Sequence, residues 1–306
     1  MYLYHFGMRE LPFTITPNTS FYCGLQAHEE ALEVLLTALK TGEGFIKVTG
    51  EVGTGKTLLC RKLLNELPNH FVTAYVPNSL LGPQALRRAI ASELGVEAQS
   101  NVGAESQDDY ALVDAIHRRL IAIQASGRSV VVIIDEAQAL PNDSMEALRL
   151  FSNLETEQRK LVQLVLFGQP ELDERLSQPE LRQLRQRIGF SYGLRTMNLH
   201  EAGQYIHHRL QVSGYQGNEL FPHAALKRLH KASRGVPRLL NILCHKCLIL
   251  TYGKGHERVS QWAVRRAIAD TQDAQTAAHW WRWWLPSAVA CVAVLASALM
   301  WLGVEV

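Results

Sequence analysis

The chain has 306 residues, 47% apolar and 20% charged, with a formal net charge of +2 at pH 7. This fits about two globular domains of roughly 150 residues, each with a proper core, and is too balanced to name a partner by charge alone. Five scattered cysteines (Cys23, Cys60, Cys244, Cys247, Cys291) argue against a disulfide framework and for a reducing compartment.

The opening "MYLYHFGMRELPF" has no basic stretch followed by an apolar one, so no signal peptide is expected. From residue 44 the pattern alternates strand and helix. "GFIKVTG" (44–50) reads as a strand, 56–67 as a helix, "FVTAYV" (71–76) as a strand and 83–95 as a helix stopped by glycine. Residues 96–107 are polar and read as a loop; 108–127 is a long helix. "SVVVIID" (129–135) is an unbroken apolar run, the mark of a parallel strand buried on both faces. A helix over 142–155 and strands at 161–168 and 188–194 complete an α/β unit with a parallel sheet. Beyond residue 195 four helical segments (198–214, 222–235, 236–253, 259–272) form a small all-α domain. The expected division is 1–195 for the α/β domain, 196–272 for the helical domain, 273–284 for a linker and 285–304 for a membrane span.

"GEVGTGKT" (50–57) fits G-x-x-x-x-G-K-[ST] between a strand and a helix. Gly50, Glu51, Val52, Gly53, Thr54, Gly55, Lys56, Thr57 and Leu58 are the predicted phosphate-binding run. Its glycines let backbone N–H groups turn inward, and the helix N-terminus favours anions. Lys56 is suited to the β- and γ-phosphates of ATP, and Thr57 to Mg²⁺. In "VVVIIDEAQ", Asp135 would hold Mg²⁺ through water and Glu136 would act as general base. Gln169, after the fourth strand, is placed to touch the γ-phosphate or the water. "LRQLRQRIGF" offers Arg182, Arg185 and Arg187, with Arg187 favoured as a finger reaching a neighbouring subunit's ATP. In "SRGVPRLLNIL", Pro237 starts a helix and Arg238 falls in its first turn. That position is poor for the helix dipole and suggests a phosphate contact.

Together these features resemble the AAA+ ATPases. "FGMRELPF", "LFGQPEL", "LRQLRQRI" and "SRGVPRLLNILCHKCL" are similar to the general secretion pathway A (ExeA-type) family over about residues 1–270, and within it to the branch serving MSHA-type pilus biogenesis. The resemblance implies a P-loop AAA+ sheet of order 5-1-4-3-2 with a C-terminal helical lid. It implies catalytic roles for Glu136, Gln169, Arg187 and Arg238, with ATP and Mg²⁺ as cofactors. It also implies a homo-oligomer working with inner-membrane proteins of a type IV pilus or type II secretion machine. Secretion members continue into a periplasmic peptidoglycan-binding region; residues 1–306 leave no room for one, so cell-wall binding is not expected of them.

Residues 285–304 carry no charge and would span about 30 Å as a helix, the thickness of a bilayer's hydrocarbon core. Trp280, Trp281, Trp283 and Trp284 precede the run and Trp301 lies near its end, as interfacial belts do. Arg282 and the basic helical domain place the enzyme on the cytoplasmic side of a bacterial inner membrane. Between His223 and Arg266 ten Lys or Arg stand against one acid, Glu257. Three readings of that basic stretch stay open: anionic lipid head groups, nucleic acid as for DNA-associated AAA+ regulators, or a solvated face. Cys244 and Cys247 form a C-x-x-C with no second pair to complete a zinc site, on an apolar helical face that predicts burial.

Overall fold

A computed structural model describes residues 2–16, 18–77, 80–96, 105–155 and 160–274 (backbone only for 105–109). The predicted span at 285–304, and the linker from residue 275, lie outside the described residues. Among the described residues no helix is long and apolar enough to cross a membrane.

The elements run α1 (Tyr2–Phe6), α2 (Gln26–Lys40), β1 (Phe45–Gly50), α3 (Lys56–Glu66), β2 (Phe71–Val76), α4 (Pro83–Glu93) and α5 (Glu105–Ala125). Then come β3 (Ser129–Ile134), α6 (Asn142–Phe151), β4 (Val162–Gly168), α7 (Glu171–Leu176), α8 (Arg182–Arg187) and β5 (Phe190–Leu194). Four helices follow: α9 (Leu199–Val212), α10 (His223–Ser233), α11 (Pro237–Gly253) and α12 (Gln261–Ala269).

The chain divides into two compact units. The first, residues 16–196, is built on a five-stranded sheet of order β2-β3-β4-β1-β5, every neighbouring pair parallel. Read from the other edge this is 5-1-4-3-2. The two central strands β3 and β4 are buried along nearly their whole length, as continuous apolar runs require. Val130, Val132 and Ile134 face one core with Leu164, Leu166, Ile90 and Ile116; Val131 and Ile133 face the other with Val165, Phe167, Leu35 and Leu59. Alternation along each strand thus feeds two helix layers, α2 and α3 on one face and α4, α5 and α6 on the other. Gln163 interrupts the apolar pattern of β4. Its Nε2 donates to Leu39 O and Glu43 O, both at 2.9 Å, and so satisfies one carbonyl at the end of α2 and one in the turn that follows.

The second unit joins residues 1–15 to the helices that begin at Met197. Chain order puts residues 1–15 with the α/β domain, whereas in the structure they pack with α9–α12. The reason is a set of polar anchors distant in sequence. Arg9 N donates to Ser213 O (2.7 Å), and Tyr2 Oη lies 3.0 Å from His245 Nδ1. Buried Arg209 donates from Nε to Pro12 O, from Nη1 to Tyr205 Oη (2.9 Å) and from Nη2 to Thr14 Oγ1 (3.3 Å). α9 begins with a capping box: Glu201 N donates to Asn198 Oδ1 (2.9 Å) while Asn198 N donates to Glu201 Oε2 (2.8 Å). Cys244 and Cys247 are fully buried in α11, and burial pushes the Cys247 thiol up to about 12.

No helix is predicted from the sequence over α1, α2, α7 or α8. The long helix α5 starts at Glu105 rather than at 108.

Arg209 predicts a measurable consequence. Arg209→Ala strips two anchors from residues 12–14, at Pro12 O and Thr14 Oγ1, together with the bond to Tyr205 Oη, and leaves Pro12 O without this donor. The expected cost is about 2–4 kcal/mol of helical-unit stability. Urea unfolding should show it, and limited proteolysis should cut earlier between residues 9 and 16.

Candidate functional site

β4 lies between β1 and β3, with Thr49 paired to Gly168 and Ile134 to Leu166. The carboxyl ends of three adjacent strands therefore open into one crevice, the place where parallel α/β sheets present their functional groups. The phosphate loop leaves β1, the acidic pair leaves β3 and Gln169 leaves β4.

The loop is shaped by three glycines. Gly53 (φ 81°) and Gly55 (φ 100°) have left-handed backbones, which side chains resist. A Cβ on Gly50 would sit 3.0 Å from Leu194 O and 3.1 Å from Thr54 Oγ1. Gly55 is the N-cap of α3, so α3 starts at Lys56 with its first N–H groups facing the loop. Lys56 is 5% exposed, and its Nζ donates to Gly50 O (2.7 Å) and Glu51 O (3.0 Å). Burial holds its ammonium below the usual lysine range, against the opposing pull of the Glu136 and Asp135 carboxylates.

Asp135 is 3% exposed and directly follows β3. Its Oδ2 accepts from Thr57 Oγ1 (2.7 Å) and its Oδ1 from Glu136 N (2.9 Å). Burial raises its carboxyl above the ordinary range despite those two bonds. Glu136 has the left-handed backbone φ 54°, ψ 39°, a conformation that costs a non-glycine residue about 1–2 kcal/mol. Its Oε2 accepts from Gln138 Nε2 (2.6 Å) and Gln169 Nε2 (3.0 Å). Burial pushes its carboxyl upward, but the two amide bonds and Lys56 outweigh this and leave it lowered.

The structure thus brings Lys56, Thr57, Asp135, Glu136 and Gln169 together around Gly50–Gly55. Glu51 and Val52 are exposed on the loop, Thr54 is buried, and Leu58 is half-buried in the first turn of α3. Arg182, Arg185 and Arg187 are exposed on α8, just before the edge strand β5. Arg238 is exposed at the second position of α11, in the helical unit.

Two polar residues escape the sequence reading. His28, buried on α2, places Nε2 2.9 Å from Thr54 O and 2.9 Å from where a Cβ on Gly55 would be, and so backs the phosphate loop. Gln138 closes a ring by accepting from Gln169 N at Oε1 (3.0 Å) while donating to Glu136. The "DEAQ" string contained the Gln138 signal; nothing local marks His28.

The raised Asp135 carboxyl has a definite pH sign. Below the unfolded carboxyl value of about 4 the group is protonated in both states and carries no penalty. As pH rises through the folded value, the buried charge disfavours the native state. Asparagine can accept from Glu136 N and donate to Thr57 Oγ1 without that charge. Without nucleotide or Mg²⁺, Asp135→Asn should raise Tm at pH 7.5, with the gain shrinking toward pH 4 in a pH series of thermal melts.

Residues 39–176 match the AAA domain family. The chain is 39% identical over 280 residues, 92% of its own length, to general secretion pathway protein A of Aeromonas hydrophila, and it spans 50% of that relative. Among solved structures, Cdc6p of Pyrobaculum aerophilum has a TM-score of 0.63 at 16% identity, with 83% of this chain and 71% of that one covered. The ORC2 protein of Aeropyrum pernix, solved as ADPNP-ADP complexes, has a TM-score of 0.56 at 16% identity, with 84% and 72% covered. Drosophila ORC bound to DNA has a TM-score of 0.61 at 18% identity, with 86% and 64% covered. At such identities the solved structures speak for the fold. The sheet unit thus matches the AAA domain family, in a sequence similar over most of its length to half of a general secretion pathway A protein.

Proposed function

We propose that this chain is an ATPase, tethered to the bacterial inner membrane, that drives or regulates assembly of a type II secretion or MSHA-like type IV pilus machine. The observation that carries the reading is the pairing of a buried Lys56 ammonium on the loop carbonyls with a Thr57–Asp135 bridge at 2.7 Å. A tight loop with left-handed glycines at 53 and 55, where a Cβ at Gly50 or Gly55 would collide with Leu194, Thr54 or His28, next to a hydroxyl–carboxylate pair, fits a polyphosphate with Mg²⁺.

The residues divide the work. The Gly53–Thr57 N–H groups and Lys56 would hold phosphate oxygens; Thr57 and Asp135 would hold Mg²⁺, which would supply charge neutralisation of the phosphates. Glu136 draws the proton from a water, and Gln169 orients that water or the γ-phosphate. Arg238 senses phosphate from the helical unit, and Arg187, exposed before an edge strand, serves a neighbouring subunit in a homo-oligomer. The Aeromonas relative supports a secretion role. The uncharged run at 285–304 between tryptophans supports the tether, and a tether argues against the alternative of a DNA-associated AAA+ switch.

Lys56→Ala should lose nucleotide binding. Glu136→Gln should bind ATP normally and hydrolyse it at least ~100-fold more slowly; an unimpaired rate would remove Glu136 as the base. For the tether, intact protein should stay with membranes through carbonate washing, and deletion of 285–304 should release it. A full-length protein that is wholly soluble on fractionation would refute this part.

A further inference from the structure

Gln138 is absent from the catalytic set above, yet it makes the shortest contact to the Glu136 carboxylate. Its Nε2 donates to Glu136 Oε2 at 2.6 Å, against 3.0 Å from Gln169 Nε2. Its Oε1 accepts from the backbone N–H of Gln169 at 3.0 Å. That bond fixes the amide orientation. A flipped amide would set NH₂ against N–H and a carbonyl oxygen against a carboxylate, losing both contacts. The main chain of Gln138 is held as well: Arg175 donates from Nη1 to Gln138 O and from Nη2 to Asn142 Oδ1 (2.6 Å). An arginine from α7 thus clamps the turn after β3.

The two amide contacts to Glu136 differ in kind. Gln169 contributes its side chain, the same group assigned above to the γ-phosphate or the water, and one NH₂ that turns to a phosphate leaves the carboxylate. Gln138 is anchored on the main chain of Gln169, so its hold does not depend on where the Gln169 side chain points. The left-handed backbone of Glu136 (φ 54°) is held by its N–H bond to Asp135 Oδ1 and by the bond from Ala139 N to its carbonyl, which leaves the carboxylate itself to be aimed by side chains.

We infer that Gln138 is the positioning residue for Glu136: it aims the carboxylate from β3 toward the end of β4 and keeps it there while the Gln169 side chain engages nucleotide. The inference rests on Glu136 being the base. In this role Gln138 acts through Glu136, by its bonds to the Glu136 carboxylate and the Gln169 main chain.

The test uses the full chain and Mg-ATP. Gln138→Met keeps the length and the main-chain anchor but removes both side-chain bonds. It should lower kcat about tenfold or more while KM for Mg-ATP stays within about twofold. Gln138→Glu keeps an acceptor for Gln169 N but has no donor for Glu136, and should be equally slow. In a Glu136→Gln background, Gln138→Met should change kcat no further, because the group it positions is gone. Wild-type kcat in either single variant, or an equal further loss in the Glu136→Gln background, would overturn the positioning role. Glu136→Gln turning over at the wild-type rate would instead overturn the base, and is read independently of Gln138.

Discussion

The site is organised by two opposite charges that the fold buries and keeps apart. Lys56 and Asp135 are 5% and 3% exposed, and burial pushes each toward its neutral form, the ammonium down and the carboxyl up. Lys56 is tied to carbonyls of its own loop, while Asp135 is tied to Thr57 and to the N–H of Glu136. Neither arrangement returns the full cost of desolvation. A ligand carrying its own cation and anions, set between the two, would relieve both penalties. The architecture serves that tension. Parallel order places β4 between β1 and β3, so the ammonium and the carboxylate follow strands separated by one strand, β4.

Much of this was legible because it is local. The glycine spacing of the loop, the apolar run of β3 and the acid at its end lie in short continuous stretches. A strand buried on both faces has few ways to be written. The sheet order came from family resemblance, since spacing alone does not choose between edges. What the sequence concealed is what joins distant segments. His28 reaches Thr54 across 26 positions, and Gln169 meets Gln138 across 31. Residues 1–15 precede the sheet unit in the chain but bond to Arg209 and Ser213, nearly 200 positions on. By contrast α2 was open to reading: Ala31, Leu35 and Leu39 recur every fourth residue on the buried face.

Glutamine occurs at three strained or conflicting points, each time for the same physical reason. Gln163 sits in an apolar strand and satisfies two carbonyls, one at the end of α2 and one in the turn after it. Gln138 and Gln169 surround a half-buried carboxylate beside a phosphate loop. An amide donates and accepts without adding net charge. In a crevice that already holds one ammonium and two carboxylates, a lysine or arginine in place of Gln138 would compete with Lys56 for the same anions.

The same logic explains why strain is tolerated at Glu136. Asp135 and Glu136 are consecutive, and in a continued strand their side chains would point to opposite faces of the sheet. Turning Glu136 left-handed breaks that alternation, so that Asp135 can meet Thr57 on α3 while Glu136 meets Gln169 beyond β4. The backbone cost is about 1–2 kcal/mol. It is offset by the Asp135 Oδ1 bond to Glu136 N and by the bond from Ala139 N to Glu136 O, at 2.9 Å each. A glycine here would adopt the turn freely but would carry no carboxylate. The left-handed glutamate is therefore the means by which one short segment supplies two acids to two different places.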